Sequence, residues 1–153
     1  MGASNVKRLS KSRYLAGLKC PKLLWWMVHE PDAPELAGAA DNGRLQAVLT
    51  RGQRIGELAR AEVAGGVLID LPHHELERRV AATAKALAGG APAIYEASFF
   101  EDGIFVSVDI LERRRTGFVL VEVKSTLDVK EEQLPDVAVQ VHVVRRAGLS
   151  VRR

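Results

Sequence analysis

The sequence predicts an α/β domain in which a central mixed sheet, part of it an antiparallel meander, is flanked by helices. Three observations carry this. Three strand-like runs follow one another closely between residues 93 and 125, helical periodicity fills most of the chain before them, and a further helical stretch with a short apolar end comes after. At 153 residues the chain fits one domain built on one core.

Ser10 is a suitable N-cap for a helical stretch reaching about Met27, and Pro21 inside it predicts two short helices rather than one. Tyr14, Leu15, Leu18, Leu23, Trp25 and Trp26 are its groups available for burial. Pro31, Pro34 and Gly38 make Glu30 to Ala40 a loop. A helix from about Asn42 to Val63 follows from the spacing of Leu45, Val48, Leu49, Ile55, Leu58 and Ala59, weakened locally by Gly52 and Gly56. Val67 to Leu71 is a short strand, and Pro72 leads into a helix from about His74 to Leu87 that Gly89 and Gly90 terminate. The meander comprises Ala93 to Phe100, Ile104 to Glu112 and Phe118 to Ser125, with Asp102-Gly103 as a hairpin turn. A helix from about Glu131 to Ala147 ends at Gly148, and Leu149 to Arg152 begins another strand.

Composition removes several function classes. Apolar residues make up 47% and charged residues 27%, the balance of a folded chain rather than a disordered one. No stretch approaches the roughly 20 apolar residues of a membrane span, and Met1 to Tyr14 lacks the apolar core of a secretory signal, so a cytoplasmic location without membrane association is expected. Cys20 is the only cysteine; it excludes an internal disulfide and reads as a small packing residue. The formal charge of +3 suits a partner bearing phosphates, and Lys7, Arg8, Lys11, Arg13, Lys19 and Lys22 form a basic segment that could follow a phosphate backbone. A solvated face accounts for the same charges.

The chemistry gathers in the meander. Strand Ile104 to Glu112 is largely apolar except for Ser107 and Asp109, and Phe118 to Ser125 is apolar except for Glu122 and Lys124. Alternation puts Glu122 and Lys124 on one face. A turn between Arg115 and Thr116 sets Asp109 opposite Glu122, with Cβ atoms about 4.5–5.5 Å apart. Two adjacent carboxylates repel unless a cation or shared proton offsets them. Mg²⁺ or Mn²⁺ is the expected occupant, because such ions prefer oxygen ligands and keep several waters.

Asp109 within Val108-Asp109-Ile110, followed by Glu122-Val123-Lys124, resembles the PD-(D/E)XK nuclease superfamily, in its RecB-like branch related to the CRISPR-adaptation exonucleases. The opening Leu9-Ser10-Lys11-Ser12-Arg13-Tyr14 with Cys20-Pro21-Lys22 and the late Gln140 extend the resemblance over most of the chain. It implies a restriction-endonuclease-like core, with Asp109, Glu122 and the carbonyl of Val123 as metal ligands, Lys124 as catalytic lysine and Gln140 on the helix after the catalytic strand. It also implies Glu57 as an acidic metal ligand, although Arg54 and Arg60 beside it fit an exposed ion pair equally. Where the branch has a tyrosine shortly after the helix glutamine, this chain has Val141, His142, Val143 and Val144. Iron–sulfur members need one early and three late cysteines, so Cys20 alone predicts no self-contained cluster and leaves a truncated member as one expectation.

The resulting expectation is a metal-dependent deoxyribonuclease acting on DNA. Its rival is a catalytically impaired nuclease-like module that binds DNA or a partner protein, with homo-oligomerisation open to either. His73-His74 lacks a partner pair at ligand spacing, and His142 reads as an ordinary surface or core histidine. Trp25 and Trp26 could stack on bases or fill a core.

Overall fold

A computed structural model describes residues 8–37 and 42–152, within which side chains of part of 35–49 are not described. Lys7 and Gly38, and the burial of Leu45, Val48 and Leu49, lie outside that description. A two-residue strand β1 (Leu9–Ser10), not anticipated from the sequence, leads directly into α1 (Lys11–Lys19). Ser10 is the N-cap, its Oγ accepting from the Arg13 backbone N–H, which satisfies one of the donors a helix start leaves free. Pro21 opens α2 (Pro21–His29), where its missing N–H costs nothing, and extended Cys20 separates the two helices. Cys20 is exposed at this junction rather than packed, a correction to the packing role. Trp25 is likewise half exposed and stacks on His29, one turn away on α2.

The loop expected from Glu30 to Ala40 contains a single helical turn, α3 (Pro34–Ala37). Then come α4 (Asn42–Glu62), β2 (Val67–Leu68), α5 (Leu76–Ala88), β3 (Ala93–Glu101), β4 (Ile104–Arg114), β5 (Gly117–Val121) and, after a 3-10 turn, α6 (Leu134–Arg146). Strand β2 is shorter than expected because the chain turns away after Ile69, whose N–H still reaches the carbonyl of Tyr95. The last strand is only a bridge from Val151 to Phe118.

The sheet runs β1-β4-β3-β2, with β5 also paired to β4. β1 is parallel to β4 and β2 parallel to β3, whereas β3, β4 and β5 form an antiparallel meander, so the expected mixed sheet is present. Asp102 and Gly103, at φ 52° and 78°, make the two-residue turn between β3 and β4. Arg114 pairs with Gly117, so the next turn falls at Arg115-Thr116 as expected. β3 fills one edge of β4. β1 and β5 share the other, β1 at Ile104 and Phe105 and β5 from Ile110 onward, leaving the segment 106–109 between them unpaired on that edge.

One core cluster joins Ile94, Ala97 and Phe99 of β3 and Val106, Val108 and Leu111 of β4 to Val139, Val143 and Val144 of α6, with Ala82, Ala86 and Leu87 of α5 against it. A second joins Ala93, Tyr95 and Ile110 to Ala59 of α4 and to Val63, Val121 and Val123. Membership does not follow strict alternation. In both strands the parity shifts at Glu96 and Asp109, where the ladder between β3 and β4 is interrupted, and Glu96 takes a left-handed backbone conformation with φ 58°. A non-glycine residue there costs on the order of 1–3 kcal/mol, so the surrounding core holds it in place.

Candidate functional site

The candidate site lies where β5 parts from β4. Pairing ends at Ile110–Val121, so Glu122 falls opposite Asp109 by register but outside the strand, a correction to the expected run through Ser125. In place of a backbone ladder, the Val123 N–H donates to Asp109 Oδ2 at 2.6 Å. The Asp109 side chain therefore closes the gap that the departing strand opens. Burial first, and the charge of Glu122 second, raise its pKa from 3.8 to about 6. Among the described residues it forms no ion pair, whereas Glu122 has two.

The carboxylate of Glu122, 6% exposed, is turned into the layer between α1 and α6. Lys124 Nζ donates to Glu122 Oε1 at 2.6 Å and to Asp136 Oδ2 at 2.6 Å. Lys11 Nζ lies 3.2 Å and 3.4 Å from the two oxygens of Glu122 and 3.0 Å from Asp136 Oδ1. Gln140 Nε2 donates to Glu122 Oε2 at 2.7 Å and to Asp136 Oδ1 at 2.9 Å. Two ammonium groups thus neutralise two carboxylates, and an amide ties the pair to α6. Burial opposes the charge on Lys124, but its hydrogen bonds to Asp136 and Glu122 prevail and hold it above the usual lysine range. Burial similarly opposes the charge of Asp136, yet the bond from Lys124 and the charge of Lys11 bring its pKa to about 2. Gln140 is fully buried, and among the described residues its Oε1 is without a hydrogen-bond partner.

Asp109, Val123 and Lys124 border a cavity of about 810 Å³, which Glu57 of α4 also lines. Glu57 is exposed and pairs with neither Arg54 nor Arg60 among the described residues, so the surface ion pair offered as its alternative does not form. The expected residues consequently divide in two. Glu57, Asp109, Val123 and Lys124 meet at the cavity, while Glu122 and Gln140 lie behind it, joined to it through Lys124. Among the described residues no three His, Cys, Asp or Glu side chains are grouped closely enough to cage a metal unaided.

Three residues of this neighbourhood escaped the sequence, and a fourth, Lys11, was expected in a different role. Asp136 stands one turn before Gln140 on α6, a helical spacing that could have drawn notice to it. Lys11, expected in the basic segment suited to a phosphate backbone, instead meets Glu122, 111 residues away, a pairing that gave no local signal. Glu96 sits where the β3–β4 ladder is interrupted, at the register position of Asp109, and borders the cavity, but nothing in Tyr95-Glu96-Ala97 marks its left-handed backbone. Arg79, 2% exposed, is held by the carbonyls of Ile69, Leu71 and Glu96 and by the hydroxyls of Ser98 and Ser107, with the Glu96 carboxylate 3.6 Å away. It pins the segment after β2 to β3 and β4 around the kink. His73 borders the cavity with no imidazole partner among the described residues, and His142 lies on the surface 3.9 Å from Asp102. The basic N-terminal segment is partly engaged within the molecule: Arg8 pairs with Glu77, Arg13 donates to the carbonyl of Met27, and Lys22 lies over Trp26.

No protein-family model, curated protein or solved structure matches this chain.

Proposed function

We propose that this protein is a Mg²⁺- or Mn²⁺-dependent deoxyribonuclease with a restriction-endonuclease-like core, hydrolysing phosphodiester bonds in DNA. The observation that carries the reading is the meeting of Asp109, Val123, Lys124 and Glu57 at one cavity, where Asp109 is a half-buried carboxylate with no cation of its own. The donor set suits the ion: every candidate ligand offers oxygen, and magnesium needs only one or two carboxylates when water and substrate phosphate complete its shell. Asp109, Glu122 and the Val123 carbonyl would hold it, with Glu57 contributing from α4. When bound, the ion would acidify a water and offset charge on the phosphate.

The remaining roles belong to the side chains. Lys124, kept charged by Asp136 and Glu122, suits a point charge facing a phosphate and does not suit a proton acceptor. Gln140 would fix the Glu122 carboxylate from behind. A second reading, a module that binds DNA or a protein without cutting, draws on the capping of both Glu122 oxygens by Lys11, Lys124 and Gln140. Among the described residues no helix is long and apolar enough to cross a membrane.

Cleavage of labelled single- and double-stranded DNA with Mg²⁺ or Mn²⁺ tests the first reading against the second. Wild type is expected to cut, and EDTA or Lys124→Ala to abolish cutting by at least about a hundredfold, the scale of removing a positioned charge. DNA binding without turnover by folded wild type would establish the second reading instead.

A further inference from the structure

Glu122 presents a difficulty for any cation that would use it, because both of its oxygens are already taken. Three donors share them, and they are not equivalent. Lys124 and Gln140 make short bonds of 2.6 Å and 2.7 Å and come from the same stretch and the helix that frame the site. Lys11 makes two longer contacts, 3.2 Å and 3.4 Å, almost symmetrically between the two oxygens. Its third neighbour, Asp136 Oδ1, is nearer than either at 3.0 Å. An ammonium so placed can leave Glu122 and keep an anionic partner, losing little hydrogen-bond energy. It has room to do so, since a quarter of the Lys11 side chain is exposed whereas Glu122 and Asp136 are each 6% exposed.

Charge balance leads to the same residue. Lys11, Lys124, Glu122 and Asp136 sum to zero, so a divalent ion approaching Glu122 meets a carboxylate already neutralised. Lys124 is anchored to Asp136 by a 2.6 Å bond and also borders the cavity, so it has work on the substrate side. Lys11 is not among the residues that line the cavity. We propose that Lys11 is a built-in counter-ion of Glu122 that competes with a divalent cation for this carboxylate, with Asp136 as the site to which its ammonium withdraws. The proposal rests on the metal-dependent reading. It makes the first turn of α1 a determinant of metal affinity, although Lys11 is neither a ligand nor a group that meets substrate.

The test is Mn²⁺ affinity of the full chain, read from the free-ion electron paramagnetic resonance signal, for wild type, Lys11→Met, Lys11→Arg and Asp109→Asn, beside thermal melts with and without Mn²⁺. Lys11→Met is expected to bind Mn²⁺ at least about fivefold more tightly, the lower end of coupling between linked sites. Without metal it should melt below wild type, and Mn²⁺ should raise its melting temperature by more than it raises that of wild type. Lys11→Arg should stay close to wild type. Equal or weaker binding by Lys11→Met, with Asp109→Asn abolishing binding, overturns the counter-ion role and leaves the metal reading standing. No Mn²⁺ binding by folded wild type and folded Lys11→Met overturns both. If Lys11→Met does not fold, Asp136→Asn decides: the loss of the withdrawal site should weaken Mn²⁺ binding, and unchanged or tighter binding overturns the role.

Discussion

Asp109→Asn separates the electrostatic cost of the site from its shape. The folded protein holds the Asp109 carboxyl at about 6 against 3.8, because burial and Glu122 disfavour its charge more than the Val123 N–H and Lys11 favour it. A carboxyl raised in this way contributes its stability fully below about pH 4 and gives it up as pH rises through about 6. Two pH units at 1.36 kcal/mol each place the cost of the ionised form at about 2–3 kcal/mol above pH 7. Asparagine keeps an oxygen for the Val123 N–H and cannot ionise. We predict that the variant matches wild type near pH 4 and is about 2–3 kcal/mol more stable at pH 8, a rise of roughly 5–10 °C for a chain of this size. Thermal melts at pH 4, 5, 6, 7 and 8 measure this. Mg²⁺ or Mn²⁺ at pH 8 should raise the wild-type melting temperature and leave the variant's unchanged. Parallel pH curves for the two proteins, or a variant less stable at pH 8, would refute the argument that Asp109 is an uncompensated charge.

Two structural predictions accompany it. Arg79→Met removes the guanidinium that joins the segment after β2 to β3 and β4 and leaves several buried acceptors unpaired, so it should cost about 3–5 kcal/mol in denaturant unfolding; a loss below about 1 kcal/mol would show that the kink at Glu96 holds without it. Gly117→Ala places a Cβ 2.5 Å from the Ser150 carbonyl oxygen at φ 111°, and should destabilise by about 1–3 kcal/mol. Hydrogen exchange should then quicken at Phe118 and Arg152, whose N–H groups make the bonds between β5 and the end of the chain; unchanged protection there would exclude the predicted release.

Local chemistry by itself determined the order of elements, because each signal acts within a few residues. Pro21 divides α1 from α2, Asp102-Gly103 turns β3 into β4, and a turn at Arg115-Thr116 sets Asp109 level with Glu122. It also marked the carboxylates and lysine of the site, since charges in strand-like apolar runs are unusual wherever the chain is read. Tertiary structure decided which neighbours those charges have. β5 ends at Val121 rather than reaching Ser125, so Glu122 is free to meet side chains of α1 and α6. The alternation of β3 and β4 resets at Glu96 and Asp109 because Arg79 and the two packed clusters hold a backbone conformation that glutamate does not choose alone. Lys11 reaches both Glu122, 111 residues away, and Asp136 only because α1 and α6 pack beside one another. A charged side chain's partner is set by the packing of elements distant in sequence, and no periodicity along the chain encodes that distance.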